Sequence, residues 1–166
     1  MNLYGAIVFV HASTMLLFFV AHGASMAVAF RLKRERDPAA ARALLDLSSW
    51  AMGWPTGILV IVGFASGIAL GIMGGWFGQA WIWIALVLFV AVSGLMTPLG
   101  SSRLRAVRAA AGTVPFNPMS RTPAPSPEPD PAELARLLDE WNPVPLAALG
   151  LTAFLVLLWL MLFKPF

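Results

Sequence analysis

Residues 3–30 read LYGAIVFVHASTMLLFFVAHGASMAVAF, with two histidines and no carboxylate, lysine or arginine. About 20 apolar residues cross the hydrocarbon core of a bilayer as a helix, so this stretch predicts a membrane span. Residues 54–75, 81–98 and 145–163 predict three more, also without Asp, Glu, Lys or Arg. The chain is 59% hydrophobic and 11% charged, and its mean hydropathy is +0.79. A soluble domain of 166 residues could not hide so much apolar surface. Backbone groups in lipid must be paired internally, which leaves helices or a closed barrel. The runs do not alternate as barrel strands do. The expected fold is therefore all-α: one polytopic domain over residues 1–166, a four-helix transmembrane bundle with short amphipathic helices on its cytoplasmic side.

Lys and Arg set the expected orientation. Arg31, Lys33, Arg34, Arg36 and Arg42 follow the first span, and Arg103, Arg105, Arg108, Arg121 and Arg136 follow the third. Residues 74–80, between the second and third spans, hold none. Both long loops are expected in the cytoplasm and both termini outside, in a bacterial inner membrane. Trp50, Trp54 and Trp141 then fall at inner boundaries, and Trp76, Trp81, Trp83 and Trp159 near outer ones. The first span has no basic residue ahead of it and is too long for a cleavable signal peptide. The net charge of +3 and pI near 10.2 come from residues flanking spans, so the expected partner is the lipid bilayer and not nucleic acid. The absence of cysteine removes disulfides and thiolate chemistry.

The loops carry helix signals. Asp37-Pro38 predicts an N-cap and first helical residue for a helix over 38–52, with Leu44, Leu45, Leu47 and Ala51 on one side. It is expected to lie on the membrane surface, to pack under the bundle, or to serve as a plain helical linker. Residues 101–111 predict a short basic helix ended by Gly112. Its arginines, Arg103, Arg105 and Arg108, either set topology or meet anionic headgroups. Residues 115–131 hold seven prolines and predict an extended linker. Asp130-Pro131-Ala132-Glu133 is a capping box ahead of a helix over 132–141, with Leu134, Leu137 and Leu138 on one face.

Two features inside the spans carry the functional argument. Gly63, Gly67, Gly71 and Gly75 recur every four residues, a stripe on which a neighbouring helix can approach closely. It could face the first helix, another subunit or the flat face of a porphyrin. Among Asp, Glu, Lys, Arg and His, only His11 and His22 fall in any span. Such residues are expensive in lipid and point to function. Their spacing puts them on one helix face, roughly 16 Å apart along the axis, so they cannot share a metal. A structural histidine would bond a neighbouring hydroxyl or carbonyl, and depth matching offers Ser93 and Thr152 to His22. A ligating histidine would bind iron, copper or zinc through a neutral imidazole. Bis-histidine haem within one chain is excluded. The opposite position would fall to a methionine, an open site or another subunit.

Val8-Phe9-Val10-His11-Ala12, then Ala21-His22-Gly23, then the basic stretch from Arg31 to Pro38, resembles a group of small bacterial membrane proteins. The group includes the copper-resistance D-type domain, the membrane protoporphyrinogen oxidases and uncharacterised four-span members. The resemblance covers about the first 40 residues and implies a haem- or metal-ligand role for His11. His22 has no counterpart in it. The function expected is a small membrane protein that binds haem b or copper through His11, with His22 as a second cofactor-binding residue, and that is redox-linked. The alternative is a non-catalytic accessory subunit, packed through the glycine stripe into a homo-oligomer or larger complex.

The charge pattern makes a direct prediction. In Gln79→Cys, an impermeant maleimide added outside intact cells should label the chain. In Ser120→Cys it should label only after permeabilisation. The reverse pattern would overturn the orientation.

Overall fold

The computed structural model describes residues 2–113 and 127–166. It consists of six α-helices: α1 Leu3–Leu32, α2 Pro38–Ala51, α3 Trp54–Met73, α4 Ala80–Ala110, α5 Pro131–Glu140 and α6 Val144–Phe163, with one 3-10 turn at Trp76–Gly78. Among the described residues there is no strand, and four helical stretches, ending in α1, α3, α4 and α6, are long and apolar enough to cross a membrane. The all-α bundle is the fold. Asn2 caps α1, its side chain accepting from Gly5 N at 2.8 Å. Asp37 caps α2, accepting from Ala39 N and Ala40 N, and Asp130 caps α5, accepting from Glu133 N. Each cap satisfies backbone donors that the first turn leaves open.

The long helices pack as two pairs, α1 along α3 and α4 along α6. Aromatic contacts join the pairs. Phe19 of α1 stacks on Phe154 of α6 at 4.1 Å between centroids, and Phe64 of α3 lies 6.2 Å from Phe89 of α4. At one end Trp76 sits beside Tyr4 and Trp81, and the Lys164 ammonium lies 3.9 Å over its ring.

The structure departs from the sequence reading in four ways. First, the third span and the basic helix are one element. α4 runs through Pro98 and on to Ala110, about 46 Å at 1.5 Å per residue. A proline inside a membrane helix removes one hydrogen bond, and neighbouring groups can absorb that. Beyond it, Val107, Ala110 and Ala111 are buried against other helices, which holds the extension helical. Gly112 does end it. At φ 77° it lets Thr113 N donate to Arg108 O and Gly112 N to Ala109 O, the paired bonds of a Schellman cap.

Second, α2 buries Ala41, Leu45 and Ser48, while Leu47 is exposed. The expected side, which included Leu47, is rotated, because Ser48 turns inward to share a hydrogen bond with Ser25 of α1 at 2.9 Å. Third, Trp141 is buried and does not lie in an interfacial belt. Fourth, α3 stops at Met73, so Gly75 lies outside it, in the left-handed region at φ 66°. The expected linker over 115–131 falls outside the described residues as far as 126. Residues 127–130 have no regular structure, and Pro131 begins α5.

These pieces form a core below the spans. Ala29 and Leu32 of α1, Ala41 and Leu45 of α2, Val107 and Ala110 of α4, and Leu134, Leu137 and Leu138 of α5 make one buried cluster with Ala111 and Trp141. Cations fasten its edges. Arg42 Nε donates to Ala111 O at the end of α4. The Arg108 guanidinium donates to Leu45 O at 2.6 Å and to Ser49 Oγ, and lies 3.8 Å from Asp46. Lys33 Nζ donates to Trp141 O, and Arg36 pairs with Asp139 at 2.6 Å. Arg108 thus faces inward, not toward headgroups, and Arg103 and Arg105 are the exposed members of the trio.

Leu45 is fully buried in this cluster, and Leu47, two residues on, is 53% exposed. Leu45→Ala should cost about 2–5 kcal/mol by leaving a cavity. Leu47→Ala should stay within about 0.5 kcal/mol. Thermal unfolding in detergent measures both. Equal losses would contradict the rotated α2 face.

Candidate functional site

The two histidines of α1 meet different helices. His11 turns toward α3, where its Nδ1 lies 2.9 Å from Gly63 O and 3.2 Å from Ser66 Oγ. A carbonyl can only accept, so Nδ1 carries the proton and donates. Gly63 O is free for this because a carbonyl has two lone pairs, and its helix uses one. The Ser66 hydroxyl donates within its own helix, to Val62 O at 2.7 Å or Gly63 O at 3.0 Å. The tautomer follows: Nε2 holds the lone pair. A backbone carbonyl on the far ring nitrogen is how ligating histidines are commonly oriented. A structural histidine satisfied by a carbonyl looks the same from this side.

Glycine makes that approach possible. A methyl group on Gly67 would stand 3.0 Å from the His11 ring, and one on Gly63 would collide with Met15 Cε. Gly71 instead receives Ile82 of α4 and Phe77 of the 3-10 turn, at 2.8 and 2.9 Å by the same measure. Gly75 has nothing near it. His11, Met15, Phe77 and Ile82 of the same chain therefore occupy the places beside Gly63, Gly67 and Gly71. A flat macrocycle has no open slot at Gly63 and Gly67, since the imidazole and thioether lie there.

His22 is the opposite case. Its two ring nitrogens are buried, and among the described residues neither has a hydrogen-bond partner. Ser93 and Thr152, its expected partners, are exposed on α4 and α6 and do not bond it. The depth match was close but the residues were neighbours. The ring lies against Gly150 of α6 and Met96 of α4. A methyl group in place of the Gly150 hydrogen would stand 2.7 Å from His22 Nε2, 3.1 Å from Met96 Cε and 3.5 Å from Met96 Sδ. The imidazole edge and the end of the Met96 side chain thus both lie beside Gly150, with the sulfur one bond behind the methyl. Phe18, one turn earlier, stacks on the ring with centroids 6.1 Å apart.

The sequence reading gave Gly150 no role and left the methionine opposite a histidine unspecified. The available signal was Gly150 itself, the one glycine in α6. Among the described residues, no group of three or more His, Asp or Glu side chains converges as a metal site. Any ion here rests on nitrogen and sulfur.

The chain belongs to the family described as "Predicted integral membrane protein (DUF2269)", whose model matches residues 6–165. No curated protein and no solved structure matches it.

The contact at Gly67 is open to test. Gly67→Leu should push the His11 ring off the Gly63 carbonyl and cost about 1–3 kcal/mol through overpacking. Gly57 lies on the same helix, is exposed and has no neighbour within 4 Å of an added methyl. Gly57→Leu should therefore be mild. Thermal unfolding in detergent separates the two, and equal tolerance would remove the close-contact claim.

Proposed function

We propose that this multi-pass membrane protein binds a soft metal ion, copper(I), within its bundle through a first-helix histidine, and that His22 is that residue. One observation carries the reading: a buried imidazole with neither nitrogen bonded, beside a thioether. An unmet polar group in a lipid-surrounded interior costs several kcal/mol. A metal ion at Nε2 would satisfy that nitrogen and leave Nδ1 as the protonated one. Thioether and imidazole together suit copper(I), whereas oxygen-rich sites suit magnesium, calcium or manganese. Met96 is unbranched and can swing its sulfur toward the ion at small cost.

This reading keeps copper from the two cofactors the sequence suggests and moves the leading ligand from His11 to His22. His11 has a carbonyl partner and no unmet need on that nitrogen. Haem b fits less well than a bare ion, because the glycine face that would seat the ring is filled by His11 and Met15. The accessory-subunit reading loses its surface for the same reason: three glycines of the stripe are covered from within the chain.

Reduced protein in detergent, titrated with copper(I) against a chromogenic chelator, should hold about one ion per chain. His22→Ala and Met96→Leu should each weaken binding by at least about tenfold, the cost of disturbing a metal's close environment. His11→Ala should bind as the parent does. In the metal-free state His22→Leu should raise stability by about 1–3 kcal/mol, by removing the unpaired polar atoms. A parent protein that takes no copper, or variants that all bind alike, would overturn the assignment.

A further inference from the structure

At the charged end, a groove of about 520 Å³ opens between the end of α1 and the junction of α5 with α6. Lys33, Arg34, Arg36 and Asp139 line it with Phe30, Asn142, Pro143 and Val144. From this groove we infer a binding site for the phosphate of an anionic phospholipid. Three cations face one carboxylate, so the lining is net positive. Lys33 and Arg36 are held in place by Trp141 O and Asp139. Arg34 is exposed, and among the described residues its guanidinium has no hydrogen-bond or ion-pair partner. It supplies the uncommitted donors, in the fork geometry that suits phosphate.

The groove also lies at the right depth. Phe30 belongs to the last apolar turn of α1, and Val144 is the first residue of α6. Those positions bound the hydrocarbon segments, where lipid phosphates sit, and Phe30, Pro143 and Val144 give the glycerol and first acyl carbons an apolar wall. At the start of α6 the Val144 N–H already donates to Asn142 Oδ1 at 3.1 Å and Pro145 has no N–H, so the helix end adds its dipole to the groove and not a row of free donors.

Thermal melts in mixed micelles test the site. Phosphatidylglycerol should raise the unfolding temperature of the whole protein, and phosphatidylcholine should not. Inorganic phosphate at the same phosphorus concentration should not either, because it lacks the chain that meets the apolar wall. Arg34→Gln should shift the phosphatidylglycerol midpoint about fivefold upward, the fold-change one surface cation corresponds to. Arg105→Gln, exposed on α4 and outside the groove, should leave it unchanged. An equal response to phosphatidylcholine, reproduction by inorganic phosphate, or equal shifts in the two variants would each overturn the inference.

Discussion

Polar atoms surrounded by lipid must find partners in the protein, and that constraint decides most of what this chain does. Its spans avoid every charged residue and keep two histidines. One of them meets the constraint through a carbonyl already used by its own helix. The other does not meet it at all. Apolar packing tolerates many substitutions of similar volume, but an imidazole with no partner is a standing cost. The two residues stand on one helix face, so the difference comes from their neighbours. α3 brings a glycine-flanked carbonyl within reach of His11, whereas α4 and α6 bring a thioether and a bare Cα to His22.

The same constraint shapes the charged end. A helix leaves its last carbonyls without intrahelical donors. α4 resolves this with the left-handed Gly112 and with Arg42, which donates to Ala111 O. Arg108 reaches the Leu45 carbonyl of α2, and Lys33 that of Trp141. The cations that follow the first and third spans therefore also join α2 and α5 to them. Exposed ion pairs such as Arg136 with Glu133 and Glu140 add little beyond this. Arg136 does hold the Glu133 carboxyl below its usual range by hydrogen bonding to it.

Much of this was legible in the sequence because it depends on local rules. Span number follows from the length of apolar runs, and Asp37, Asp130 and Gly112 mark helix ends by cap chemistry that needs no tertiary context. Leu134, Leu137 and Leu138 share a buried face because their spacing alone fixes it. What was not legible depends on which helices become neighbours. Depth counting brought His22 to the level of Ser93 and Thr152, but rotation about each helix axis turned those hydroxyls outward and Met96 and Gly150 inward. The continuation of α4 past Pro98 was hidden for a related reason. A proline reads as a stop, and only the cluster formed by α2, α5 and the end of α1 holds the following turns helical. The α2 face was misjudged by counting leucines, since Ser48, with a hydroxyl partner across the interface, buries as readily as Leu47 would.

Glycine decides the fate of both histidines. At Gly67 the missing side chain lets an imidazole come close to the helix and reach the carbonyl one turn earlier. At Gly150 it lets an imidazole edge approach α6, yet among the described residues no carbonyl or hydroxyl answers it there. A sequence shaped for packing alone would place leucine or phenylalanine at position 22 and gain stability, because apolar groups of similar size often replace buried polar ones at no cost. Polar residues retained inside a membrane against that gradient are the ones to read for function. By that argument the unbonded histidine, and not the satisfied one nearer the N-terminus, is where the chemistry of this bundle is to be sought.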